Sequence, residues 1–132
     1  MQRIYVLTTI TVGLSADLLL AQSDSDYRAW MKSNAANMGS LNKNIAAKEN
    51  MAAAEDAKKL EDTFKQVEDS WEKRHVADAV NFAKRAQSAA ASAAKSATAG
   101  DMEQASADAK TLAMACAACH MAHREKPMPD SR

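Results

Sequence analysis

Apolar residues recur along this chain at alternating spacings of three and four, the pattern of amphipathic helices packed lengthwise. The first stripe runs Tyr27, Met31, Asn34, Met38, Leu41 and Ile45, with Trp30 beside it. Asp24 or Ser25 offers its N-cap, and it fades near Lys48-Glu49-Asn50. A second stripe carries Met51, Ala54, Ala57, Leu60, Phe64, Val67 and Trp71, with Asn50 as the expected N-cap. The third occupies roughly residues 77–99, with Val80, Phe82, Ala83 and Ala86 ahead of an alanine-rich end stopped by Gly100. Asp101 then caps a fourth, which shows Met102, Ala105, Ala109, Leu112, Cys116 and Cys119 before Pro127 and Pro129. Neither Gly nor Pro marks the boundary between the second and third helices, which the change of pattern puts around residues 74–76.

Residues 89–99 have the look of low complexity, but alanine is the strongest helix former, so a thin, closely packed helix is expected there. Strand signals are missing. The fold class is therefore all-α, and four helices on short links imply an antiparallel up-down-up-down four-helix bundle. That topology gathers the start of the first helix, the second junction and the end of the fourth at one end. Tyr27, Trp30, Met31, Trp71, His75 and Arg124 should meet there.

The N-terminus changes the picture of where the chain works. Met1-Gln2-Arg3 is a short cationic start, and Ile4 to Leu20 is mostly apolar, the arrangement of a secretion signal. Cleavage is expected after Ala21 or Gln22, leaving residues 1–21 as signal peptide and 22–132 as one small domain. Asp17 shortens the uncharged run to residues 4–16, below the roughly 20 that a membrane span needs. No stable span is expected after cleavage, and export to the periplasm follows. Seventeen basic residues balance seventeen acidic ones, so bulk charge points to neither nucleic acid nor an anionic membrane.

Both cysteines of the chain lie in Cys116-Ala117-Ala118-Cys119-His120, the C-x-x-C-H attachment pattern of a c-type haem. Two thiols three apart on a helix share a face, so each can add to one vinyl group of the same porphyrin. The next residue, His120, then offers its imidazole as the proximal axial ligand to iron. A thioredoxin-like redox pair needs a βαβ context that is absent here. A zinc site needs more ligands, and the remaining histidines are His75 and His123. One covalent haem c is the expected cofactor.

The sixth iron position is the next question. At about 1.5 Å rise per residue, Met31 and His120 are nearly level in antiparallel neighbours. Met38, seven residues on, lies about 10 Å further along and is expected in the core. Met31 has a bland alternative as flexible core filler, yet a haem at the same level favours it as the distal ligand. His75 falls in a helix junction flanked by charge and is expected to be solvated. His123 is one turn beyond His120 on the same helix and cannot stand opposite it. Arg124, four residues after His120, is expected to pair with a haem propionate. Tyr27 and Trp71 are expected in the haem pocket, and the charged stretches 55–61 and 68–74 on solvated faces.

These residues carry a resemblance. The C-terminal CAACHMAHREK and the first-helix segment WMKSNAANMGSL resemble the class II c-type cytochromes, the cytochrome c′ and cytochrome c556 family. The likeness covers the whole of 22–132. It implies a four-helix haem domain without enzymatic turnover, an electron carrier serving redox partner proteins, with a homodimer compatible. In the low-spin members the methionine corresponding to Met31 binds iron. In the high-spin members that position does not ligate, and an open distal face takes nitric oxide or carbon monoxide; both alternatives stand at this stage. Two departures are His123, where the family usually has an aromatic residue, and a short second link.

Overall fold

The computed structural model describes residues 15–123, with side chains from residue 24 onward. Helices α1 (Ser15–Ala46), α2 (Asn50–Lys73), α3 (Ala77–Thr98) and α4 (Met102–His123) form an antiparallel up-down-up-down four-helix bundle. No helix among the described residues is long and apolar enough to cross a membrane. The expected signal peptide falls mostly outside the described residues, but α1 begins at Ser15, before the expected cap at Asp24 or Ser25. Nothing between Ser15 and Met38 is a Gly or Pro, so the sequence supplies no breaker where a cap was expected.

All three links turn the chain by the same device. Each of the first three helices is followed by a residue with positive φ: Lys48 at 57°, His75 at 58° and Gly100 at 77°. The following N–H reaches back to close the last turn: Glu49 to the Asn44 carbonyl at 2.9 Å, Val76 to Trp71 at 3.2 Å, Asp101 to Ser96 at 2.9 Å. A second, shorter loop accompanies each one, for instance His75 N–H to the Glu72 carbonyl at 3.0 Å. These are Schellman ends, which satisfy carbonyls that a helix C-terminus leaves open. Backbone closure explains why Asn50 is not a cap: Glu49 occupies that position and makes no side-chain cap bond. Asp101 does cap, accepting from the Gln104 N–H at 3.0 Å.

A left-handed histidine is strained where glycine would not be. His75→Gly is therefore expected to stabilise the protein by about 0.5–1 kcal/mol, net of the freedom glycine adds to the unfolded chain. Chemical denaturation checks the magnitude. His75 itself is exposed in its junction.

The core is thin. Leu41, Leu60 and Leu112 are its largest fully buried side chains. Along α3, Ala79, Ala83, Ala86, Ala90, Ala93 and Ala97 are all buried, repeating every seven residues as a coiled-coil seam does. Small side chains let α2 and α4 approach α3 closely, and α3 packs far more extensively against both than α1 does against α4. Each buried alanine withdraws little apolar area, at roughly 25 cal/mol per Å². Polar ties help at the end bearing the first and third links. Asp56, buried on α2, accepts from Ser40 at 2.6 Å and Asn44 at 2.7 Å on α1. Ser96 on α3 donates to Asp108 on α4 at 2.9 Å.

Candidate cofactor site

The other end of the bundle holds the chemistry. Cys116, Cys119 and His120 lie on the last turns of α4, and both cysteines are free thiols. Spacing by three on a helix puts the two sulfurs one above the other. They border a cavity of about 130 Å³ that all four helices line. Tyr27, Met31, Asn34 and Met38 come from α1, and Phe64 and Val67 from α2. Phe82, Ala83 and Ala86 of α3 and Ala115 of α4 complete its apolar wall. An adjoining cleft of about 500 Å³ shares Tyr27, Met31, Cys119 and His120 and adds Trp71, Arg74 and His123. Together the two spaces fall in the roughly 300–1,000 Å³ class of cofactor sites. His120 is exposed and borders both.

An aromatic cluster ties the mouth of this cleft. Trp71 Nε1–H donates to the Tyr27 hydroxyl at 3.2 Å, and the two rings meet edge-on with centroids 5.7 Å apart. Trp30 packs against Tyr27 from the same helix at 6.5 Å. The Arg74 guanidinium lies over both rings, 5.6 Å from Tyr27 and 5.3 Å from Trp71, and pairs with Asp24 at 2.8 Å. His123 sits 5.2 Å from the Trp71 ring, and its Nε2 is 2.9 Å from Asp78 Oδ2. Three helices other than α4 thus converge on its C-terminal turn.

Electrostatics keep the thiols protonated. Burial pushes the Cys116 thiol up to about 11, with Cys119 adding to the shift. Burial also raises Cys119, reinforced by the Asp78 carboxylate, and raises the Tyr27 hydroxyl against the opposing bond from Trp71. Thiol–disulfide chemistry uses a thiolate favoured by a lowered pKa, so this pair is poorly suited to redox exchange. Addition of either thiol across a carbon–carbon double bond would place the hydrogen on one carbon and the sulfur on the other. Among the described residues no three His, Cys, Asp or Glu side chains gather as a metal cluster. The side chains bordering the apolar slot, two thiols, an imidazole and a methionine sulfur, are of the kinds that a covalently attached haem would use.

The sequence-derived site residues divide as follows. Cys116, Cys119, His120, Met31 and Tyr27 border one cavity. Trp71 belongs to the outer cleft only, and Arg124 lies outside the described residues. Met38 differs from expectation: it is half-buried and lines the same cavity as Met31 rather than lying wholly in the core. Arg74 also differs, since its charged stretch was read as a solvated face while its stem and guanidinium cover two rings. Arginine three residues beyond a tryptophan is the signal that would have found it. Asn34 was legible only as a polar residue standing at an apolar position of the first stripe. No protein-family model, curated protein or solved structure matches the chain.

Proposed function

We propose that this chain is an electron-transfer protein of the class II c-type cytochrome kind. Cys116 and Cys119 hold one haem c covalently, and His120 and Met31 are its axial ligands. When bound, the haem supplies a one-electron couple, and histidine–methionine ligation raises its potential. The observation that carries this reading is a single apolar cavity bordered at once by Cys116, Cys119, His120 and Met31.

The chain's own residues hold the iron's surroundings in one arrangement through both redox states. Two thioethers on adjacent turns of α4 fix the ring to that helix, while His120 approaches from one side. Met31 reaches it from α1, which packs far less extensively against α4 than α3 does. Phe64, Val67 and Phe82 exclude water from the inner wall. Arg74 at the mouth supplies positive charge for the propionates, and the same role is proposed for Arg124 from its sequence position alone. Work in the periplasm after export, with redox proteins as partners, completes the proposal.

The test is the spectrum of the haem-loaded protein. Haem that stays with the polypeptide under denaturing conditions, and a low-spin ferric form with the far-red sulfur-to-iron charge-transfer band, are expected. A five-coordinate, high-spin ferric form would overturn the Met31 assignment and leave an open distal face.

A further inference from the structure

Asn34 stands out within that cavity. Its side chain is 5% exposed, and neither its amide nitrogen nor its oxygen has a hydrogen-bond partner. Buried polar groups are normally satisfied, because losing hydration without a replacement partner is costly. Ser70 Oγ is the other such atom among the described residues, but Ser70 does not border the cavity. Asn34 does, alongside Met31, one helical turn earlier on the same face. The surrounding wall offers hydrocarbon: Phe64, Val67, Ala83 and Ala86. A porphyrin presents polar atoms only at its propionates and at iron, and propionates seek the charged mouth beside Arg74. The partner missing from Asn34 is therefore expected at the iron.

We infer that Asn34 is the positioning residue for the sixth ligand: its Nδ2–H donates to the Met31 sulfur lone pair that iron does not use. The inference rests on the Met31 assignment. A thioether has two lone pairs, and iron can take either one, giving two ligand configurations of opposite hand. A fixed N–H on α1 selects one of them. The same bond slows the sulfur's departure from iron, because leaving would strand a buried amide again.

The experiment uses the haem-loaded full chain and three forms: wild type, Asn34→Leu, which keeps the volume and removes the donor, and Asn34→Gln, which keeps an amide. Proton spectra of the ferric proteins report the ligand's configuration through the spread of the haem-methyl shifts. Cyanide binding reports how firmly Met31 is held. Asn34→Leu is expected to keep the far-red band at a shifted position and lose the single-configuration pattern. Its cyanide affinity should rise roughly two- to tenfold, the factor an ordinary intramolecular hydrogen bond is worth. Asn34→Gln should return both readouts toward wild type.

Should the leucine variant match wild type in band position, shift pattern and cyanide affinity, Asn34 has no such role while the ligation reading stands. A wild type that lacks the far-red band would overturn the Met31 assignment itself, and this inference with it. The two failures are distinguishable from the first spectrum.

Discussion

Replacing Met31 by alanine is expected to turn a low-spin haem protein into a high-spin one without releasing the haem. The far-red band should vanish, since it arises from sulfur bound to ferric iron. The reduction potential should fall by on the order of 100 mV, a modest part of the roughly 0.8 V that axial ligation spans. Carbon monoxide should then bind the ferrous form at the vacated position. Covalent attachment should survive, because Cys116 and Cys119 sit on α4 and Met31 on α1. Optical titration and haem staining after denaturing electrophoresis check both halves. A spectrum that the substitution leaves untouched would sink the assignment of Met31.

The second large effect concerns the thiols. With Cys116→Ala and Cys119→Ala combined, haem should separate from the polypeptide in acidified organic solvent, while each single variant retains one thioether. Haem that stays covalently attached in the double variant would contradict the role of the motif. The haem-free wild-type chain should also show an alkaline weakness. Burial holds the Cys116 thiol at about 11 against an ordinary 9.0. The folded chain therefore keeps a proton that the unfolded chain gives up, and stability falls as pH rises through that interval. The loss amounts to roughly 2–3 kcal/mol for a shift of this size, fully present by about pH 11. Once the sulfur is a thioether it no longer titrates, so the haem-loaded protein should lack this component. Urea melts of both forms at pH 8 and pH 11 make the comparison.

Much of the bundle was legible because helices with short links leave periodic traces. The second junction could be placed at 74–76 without a Gly or Pro, and α2 ends at Lys73 with α3 starting at Ala77. Gly100 and Asp101 declared the third link through backbone freedom and capping chemistry. The first link misled about Asn50, because a Schellman end closes through backbone atoms and leaves no side-chain signature. The start of α1 was misplaced for a related reason: capping residues permit a helix to begin but do not forbid it to continue.

Within the site, the C-x-x-C-H pattern of Cys116 to His120 was plain in the sequence because spacing and residue type are both specific. Met31 could be matched in level to His120 from helical rise alone. Depth was not legible in the same way. Met38 is nearly two turns further along yet borders the same cavity, which therefore extends along α1 beyond a single level. Arg74 belonged to a run of charges, and only its neighbours in space reveal that it covers aromatic rings. Asn34 needed the inside of the bundle to be seen, because an unpaired amide is defined by what is missing around it.

The uneven packing of the helices sets an order of events for maturation. α2, α3 and α4 are consecutive and held by a seam of alanines, while α1 meets α4 over a much smaller face than α3 does. The helix that presents the thiols is thus secured by neighbours that do not depend on haem. The helix that carries Met31 is held mainly against α2, with little direct packing on α4. On the proposed reading, Cys116 and Cys119 of α4 would take up the haem before α1 closes over it. Amide hydrogen exchange on the haem-free chain should accordingly release the Tyr27–Met38 turns first and the Ala83–Ala93 turns last; the reverse order would rule this sequence out. On the proposed reading, attachment to α4 would come before ligation by Met31, and that last bond would latch α1 onto the bundle.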